Sequence, residues 1–380
     1  MFGVHADSKE KRDALSIIDY ALKKTSIEKI MKGCVRFSGN KLKIKNREYN
    51  LKDYENIYVL GSGKASYRMA SSLNSIIGKQ IKEGLVIYTK KDRIGKIKIE
   101  KGTHPLPSEL SFEATQKLLK VAKKIKEGDL TIYLLSGGTS SLLCYPKIGM
   151  KKFIELNRKL IKSGKNIGEI NKVRIKYSKI KGGKLLKHIK GKIVNLVVSD
   201  VVGDSLKYIG SGPLYSRSKR VDNVIIANNR MLLEKAAEKA RELGYNVRIK
   251  YPEYEGPPRP LAERIISISK RMKPGDCIIS GGEINVKVRG GGRGGPNQEF
   301  VLWCYKTKGT IASIDSDGID GNTKAAGGIA SERDFQKIGK KEIEKMLKEN
   351  NSNKFFRRIG GEIITGPTGT NLNDLRIMIK

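Results

Sequence analysis

Short apolar runs, each closed by a glycine-rich loop and followed by a helix-forming stretch, constrain this chain most. Residues 57–60, 85–88, 130–135 and 193–198 are almost wholly apolar segments rather than alternating ones. Runs of that length suit strands covered on both faces, as in a parallel sheet. Helical patterns are predicted over 8–24, from about 64, and over 108–125. Ser108 is a plausible N-cap for the last of these, with Glu109 and Glu113 near its positive end. Strands alternating with helices predict an α/β fold with a mostly parallel sheet.

The chain has 380 residues, more than one core usually holds, so two domains are expected. Composition shifts between about 214 and 230. Beyond it the pattern predicts helix 230–243, strand 245–249, a proline-rich loop 251–260 and helix 261–271. Strands 276–280 and 284–288, a glycine-rich loop and a helix from 296 follow. The expected division is a large domain over 1–228 and a smaller α/β domain over 229–380, with the chain termini able to cross between them. No apolar stretch reaches 18 residues, so no membrane span is expected. The first residues lack the apolar core of a secretory signal, which makes a cytoplasmic location the expectation. Cys34, Cys144, Cys277 and Cys304 form no C-x-x-C pair. Buried thiols in a reducing compartment are therefore expected, rather than zinc or a disulfide framework.

The charge is extreme: 76 Lys and Arg against 39 Asp and Glu, a net +37. The segment 151–200 alone carries 15 basic and 3 acidic residues. A basic groove for polyanions is one reading, and solvated lysine-rich faces are the other. The aromatic residues do not interleave with the cations as a base-stacking platform would require. Nucleic acid is therefore disfavoured as a partner.

Ligands of open α/β sheets bind beyond the carboxyl ends of strands, so the loops there carry the candidate chemistry. Gly61-Ser62-Gly63-Lys64 follows the first strand. Tyr58 and Ala65 break a Walker A pattern, and Ser66 breaks a dinucleotide turn. What remains is a tight turn at a helix start with one lysine placed to meet an anion. Ser136-Gly137-Gly138-Thr139-Ser140 offers backbone N–H groups and hydroxyls for an anion, or only a capped turn. In Ser199-Asp200-Val201-Val202-Gly203-Asp204, a carboxylate could hold Mg²⁺, take a proton from a hydroxyl, or cap a helix. Gly210-Ser211-Gly212-Pro213 follows it. Ser280-Gly281-Gly282-Glu283 echoes the second loop. The segment 289–295 sets Arg293 among five glycines, where it could face phosphates. Asp317-Gly318-Ile319-Asp320-Gly321 lacks the terminal glutamate of a calcium loop. The stretch Thr365 to Asn371 ends the series. His104, in Thr103-His104-Pro105, reads as a turn residue.

In their shared order these loops resemble the glycerate 2-kinase family, whose second half is the MOFRL domain. The resemblance is carried also by His104-Pro105-Leu106-Pro107, Glu169-Ile170-Asn171-Lys172-Val173-Arg174 and Ile180-Lys181-Gly182-Gly183-Lys184-Leu185, and by Gly294-Gly295-Pro296-Asn297-Gln298-Glu299. It implies ATP-dependent phosphorylation of D-glycerate at the 2-hydroxyl with Mg²⁺. It also implies a Rossmann-like α/β/α large domain plus a smaller α/β domain, with the active site in the interdomain cleft. Lys64 and Arg293 are the cations it implies for catalysis; Asp200 is expected to be the Mg²⁺ ligand or the base toward the 2-hydroxyl, with Glu283 and Asp317 as alternatives. Gly61, Ser62, Gly63, Ser136, Gly137, Gly138, Thr139, Ser140, Arg174, Lys181, Gly212, Glu283, Asn297, Glu299, Asp317 and Asn371 are the expected substrate- or nucleotide-binding residues. Many members carry arginine where this chain has Pro296, and Lys-His-Leu-Ser where it has Ile175-Lys176-Tyr177-Ser178. Partners are then small molecules, with room for a homodimer. Phosphorylation of the 3-hydroxyl or of another small hydroxy acid stays open.

Overall fold

The computed structural model describes residues 2–162 and 167–380. The chain divides into two units, one over Ile27–Ala227 and one made of residues 2–26 together with Asn228–Lys380.

The first of these opens with helix Ile27–Cys34 and a small antiparallel sheet of β1 (Val35–Ser38), β2 (Lys41–Ile44) and β3 (Arg47–Asn50). The main sheet follows. Its strands are β4 (Ile57–Ser62), β5 (Ile81–Tyr88), β6 (Asp92–Ile94), β7 (Ile97–Lys101), β8 (Leu130–Leu135), β9 (Lys192–Val198) and β10 (Val221–Ala227). They lie in the order β10-β9-β8-β4-β5-β7-β6, and all pairs are parallel except β6 with β7. The four apolar runs read from sequence lie within β4, β5, β8 and β9. Every residue of β4 and β8 is buried, because helices Ser66–Ile77 and Glu109–Ala122 pack on the sheet. Burying each large aliphatic side chain here contributes on the order of 1.5–3 kcal/mol.

The other unit contains β11 (Asn246–Ile249), β12 (Tyr254–Gly256), β13 (Asp276–Ser280), β14 (Gly282–Ile284), β15 (Thr310–Asp315), β16 (Gly327–Ser331), β17 (Glu362–Ile363) and β18 (Asp374–Ile379). Six of them form a mixed sheet in the order β11-β13-β18-β15-β16-β17, while β12 and β14 pair separately. The last strand of the chain is thus inserted between β13 and β15, antiparallel to both. The strand expected over 284–288 is a correction: pairing ends at Ile284, where the register with β12 runs out.

The division at 228 also needs correcting at the chain start. Helix Lys9–Lys24 buries Ala14, Leu15, Ile17, Ile18 and Ala21, and it packs on helix Asn229–Glu242. Lys11, itself buried, holds Asp7 at 2.9 Å and Asp334 at 2.8 Å. Tyr245 donates to Asp13 at 2.6 Å. An amphipathic helix goes where its apolar stripe is covered, and here the cover lies beyond residue 228. No helix among the described residues is long and apolar enough to cross a membrane.

Candidate active site

The main sheet reverses its winding at β4. The chain passes from β4 outward through β5 on one side and returns to β8 on the other. Loops leaving the carboxyl ends of two such strands part company and leave a crevice, the usual ligand position in open parallel sheets.

The loops after β4 and β8 are tied together across that point. Lys64 N donates to Gly137 O at 2.7 Å, and Ser136 N donates to Ser62 O at 3.2 Å. Ala65 N donates to Ser136 Oγ at 3.0 Å. Ser62 Oγ lies 3.1 Å from the Tyr133 hydroxyl and donates to Thr139 Oγ1. Thr139 Oγ1 in turn donates to the carbonyls of Ser62 and Ser136, at 2.7 and 2.8 Å. These hydroxyls brace the loops from within.

Glycine is needed here for space. A Cβ on Gly63 would lie 2.1 Å from Ser136 Oγ, and one on Gly61 would lie 2.7 Å from Leu134 O. A Cβ on Gly137 would lie 1.9 Å from Asp200 Oδ2. On Gly138 it would lie 3.0 Å from Lys64 Cγ and 3.1 Å from His104 Cδ2. Asp200, Lys64 and His104, from the ends of three different strands or their loops, therefore converge on one two-glycine turn. The Gly137 and Gly138 N–H groups donate to no backbone or side-chain acceptor among the described residues.

The turn's neighbours shift one another's protonation. Burial raises the Asp200 carboxyl above its ordinary value, and the charge of Lys64 works against that rise. Desolvation lowers His104 to about 4, with Lys64 and Arg174 adding to the shift. His104 nonetheless keeps an exposed surface, and the ring is neutral at ordinary pH. Burial also lowers Arg174, whose Nε donates to Asn157 Oδ1 at 3.1 Å. Ser140 and Ser211 hydroxyls meet at 2.8 Å, and Ser211 donates to Asn171 Oδ1 at 2.8 Å. Gly212, with φ 56°, accepts from Gly183 N at 2.7 Å.

In the other unit, carboxylates collect at the end of β15. Asp320 accepts from Asn297 N and Gln298 N, both at 2.9 Å, which caps helix Pro296–Trp303. Burial raises Asp320 to about 7. Asp315 is pushed well above the usual carboxylate range by burial, then by Asp317 and Asp374. Asp374 accepts from Asn297 Nδ2 at 2.8 Å and from Ile284 N at 2.9 Å, and it pairs with buried Arg376.

The profile of a family described as a domain of unknown function, DUF4147, matches residues 13–243, and that of the MOFRL family matches residues 276–374. A protein of Pyrococcus horikoshii named glycerate 2-kinase is 32% identical, over 96% of each chain. The chain belongs to the glycerate kinase family. A solved structure titled glycerate kinase, from Thermotoga maritima, superposes with a TM-score of 0.83 at 29% identity, over 97% of this chain and 99% of that one. An Agrobacterium vitis protein named putative hydroxypyruvate reductase is 32% identical, over 84% of this chain and 98% of its own.

Within this family frame, the structure brings Gly61, Ser62, Gly63, Lys64, Ser136, Gly137, Gly138, Thr139, Ser140 and Asp200 together around the switch point, with Arg174 acting on His104. Several other implied residues do not present themselves to a ligand. Lys181 is fully buried, and its ammonium donates to the carbonyls of Ser140 at 2.8 Å and Leu143 at 3.0 Å. It is a clamp on the short helix Thr139–Leu142, not a substrate cation. Glu299 is buried and accepts from Asn350 Nδ2 at 2.9 Å. Asn297 is buried between Asp374 and Ser313. Asn371 accepts from Asn373 N at 2.9 Å in a local turn. Glu283 is exposed on β14.

Arg293 is exposed, with its backbone fixed between Asn351 and Asn353. It lines an open pocket of about 580 Å³ with Lys354, Arg357 and Arg358. His104 lies beside Gly138, and Asn171 and Ser211 join Ser140 in a hydrogen-bonded row, although none of the three is among the expected binding residues. The histidine beside Gly102 and Pro105 reads locally as a turn, and nothing near it in sequence announces Lys64 or Gly138.

Proposed function

We propose that this protein is an ATP-dependent kinase that phosphorylates D-glycerate on its 2-hydroxyl, giving 2-phosphoglycerate and ADP. The observation that supports this reading best is the convergence of Lys64 and Asp200 on the Gly137–Gly138 turn. A cation and two undonated N–H groups suit a small carboxylate, and a carboxylate whose pKa burial raises suits proton abstraction from the neighbouring hydroxyl. A carboxyl raised by burial is a stronger base than a solvated one. Asp200 is accordingly assigned the proton of the 2-hydroxyl, and Lys64 the substrate's negative charge. Phosphoryl transfer needs such positioning and neutralisation more than covalent chemistry. Arg293, with Lys354 and Arg357, is assigned to phosphate oxygens.

Among the described residues no group of three or more His, Cys, Asp or Glu stands ready to hold a metal ion. Magnesium is commonly held by one or two carboxylates plus substrate phosphates. Asp315 and Asp317, whose mutual repulsion a divalent cation would relieve, fit an ion carried in by the nucleotide. When bound, it would neutralise phosphate charge.

The test is incubation with ATP, Mg²⁺ and D-glycerate, with the product resolved by ³¹P NMR. Formation of 2-phosphoglycerate is expected. The 3-isomer would overturn the regiochemistry, and no phosphorylated product would overturn the reading. Lys64→Ala is expected to lower turnover by about 10²-fold or more with the fold retained; near-normal turnover would remove its assigned role. A reductase reading, prompted by the Agrobacterium relative's name, needs a dinucleotide turn. Ser66 stands where that turn's last glycine belongs. NADH oxidation with hydroxypyruvate would favour it.

A further inference from the structure

We propose that His104 is a substrate-contacting residue: the Nε2–H of its neutral ring donates a hydrogen bond to a carboxylate oxygen of the acid held by Lys64. This inference rests on the glycerate kinase reading of the same site.

Three observations lead to it. The first is placement. The Cδ2–Nε2 edge of the ring faces Gly138, with Cδ2 at 3.1 Å and Nε2 at 3.5 Å from where a Cβ would stand, and Lys64 Cγ lies 3.0 Å from that same point. A small anion seated at the Gly138 turn beside the Lys64 side chain would lie next to this edge of the ring. The second is availability. Neither ring nitrogen has a hydrogen-bond partner among the described residues, and the residue is exposed. Its segment is nevertheless anchored: Gly102 N donates to Tyr88 O at 2.7 Å, Thr103 N to Ser111 Oγ at 3.0 Å, and Thr103 Oγ1 to Leu106 O at 2.7 Å. An imidazole held from behind with both nitrogens open is placed to meet a ligand rather than to complete a core.

The third is electrostatic. Desolvation, and then Lys64 and Arg174, disfavour a charged ring, while Asp200 lies against the neighbouring Gly137. A neutral imidazole donates one N–H without adding a third positive charge. It can select a planar carboxylate by geometry while Lys64 supplies the attraction. An anion arriving there offsets the two cations and must raise the His104 pKa, a reciprocal effect that links ring titration to binding.

The experiment uses the full chain. Its three histidines, His5, His104 and His188, make ring ¹H–¹⁵N spectra tractable, and His104→Gln identifies the signal. Addition of D-glycerate without nucleotide is expected to shift the His104 ring resonances and raise its pKa by about one unit or more, leaving His5 and His188 unmoved. In turnover assays His104→Leu is expected to raise KM for glycerate about 10–100-fold with kcat little changed, the signature of a lost ground-state hydrogen bond to a charged group. His104→Gln, which keeps an N–H donor at the same reach, should recover most of that loss. Normal phosphorylation by the native chain with an unmoved His104 signal, or an unchanged KM in His104→Leu, would overturn this inference and leave the kinase reading intact. Absence of glycerate phosphorylation by the native chain would overturn the kinase reading, whatever the histidine does.

Discussion

Gly137 is where a single methyl group should do most harm at least cost to the fold. Its backbone is not in the left-handed region, so alanine is conformationally allowed. The Cβ would instead collide with Asp200 Oδ2, 1.9 Å away. Gly137→Ala is expected to lower turnover about 10²-fold through displacement of that carboxylate, with the melting temperature changed by only a few degrees. Unaltered turnover would show that Asp200 has no catalytic position to lose. The sequence made Gly137, Lys64 and Asp200 visible, since glycines and charges at strand ends stand out. It did not reveal that Lys181 faces inward, because a lysine in a basic stretch looks the same whether its ammonium meets a ligand or two carbonyls.

At the scale of elements, the Lys181 clamp links the short helix Thr139–Leu142 to the turn that follows Ser178. Ser178 Oγ accepts from Ile180 N and Lys181 N, both at 3.2 Å. Burial lowers the Lys181 ammonium to about 7, so the folded state disfavours its proton. Between pH 7 and the unfolded value near 10.5, the unfolded chain binds a proton that the folded chain releases. Stability from this group therefore rises with pH across that window, and its full cost is present below pH 7. The melting temperature of the native chain relative to Lys181→Met is expected to climb by roughly 2–4 °C between pH 6.5 and 9.5. A difference independent of pH would mean that Lys181 titrates as a solvated lysine does. The elements themselves were legible where they are long and apolar, as in β4, β8 and β9. The strands β1–β3 and β6 were not, because edge and hairpin strands with alternating lysines give a weak local signal.

At the scale of the whole molecule, residues 2–26 belong with Asn228–Lys380. A segment 228–380 produced alone would expose the surface that Leu15, Ile17 and Ile18 cover, worth up to about 1.5–3 kcal/mol for each large side chain. It is expected to melt at least about 10 °C lower than the same segment joined to residues 1–26, as followed by circular dichroism. Equal melting temperatures would show that the helix contributes nothing to that unit. The net +37 distributes in the same concrete way. Pairs such as Lys41–Glu48 and Arg259–Glu263 are exposed and contribute little singly. Other cations, Lys11, Lys181 and Arg376, lie in the interior.

The sequence by itself determined the α/β class, the strands at the centre of the larger sheet and the loops that could carry chemistry, because these follow from local periodicity and from glycine at strand ends. It also determined the family resemblance, through the order of those loops. Tertiary structure alone decided which loop residues share a site. Asp200 and His104 are 96 positions apart, yet they flank one two-glycine turn because β9 and β7, which they follow, lie parallel to β8 and β4 in one sheet and end on the same edge. It likewise decided that the final strand enters the middle of the second sheet and that the first helix packs beyond residue 228. Such pairings depend on which apolar surfaces remain to be covered once the other elements have formed, and no local stretch of sequence holds that information.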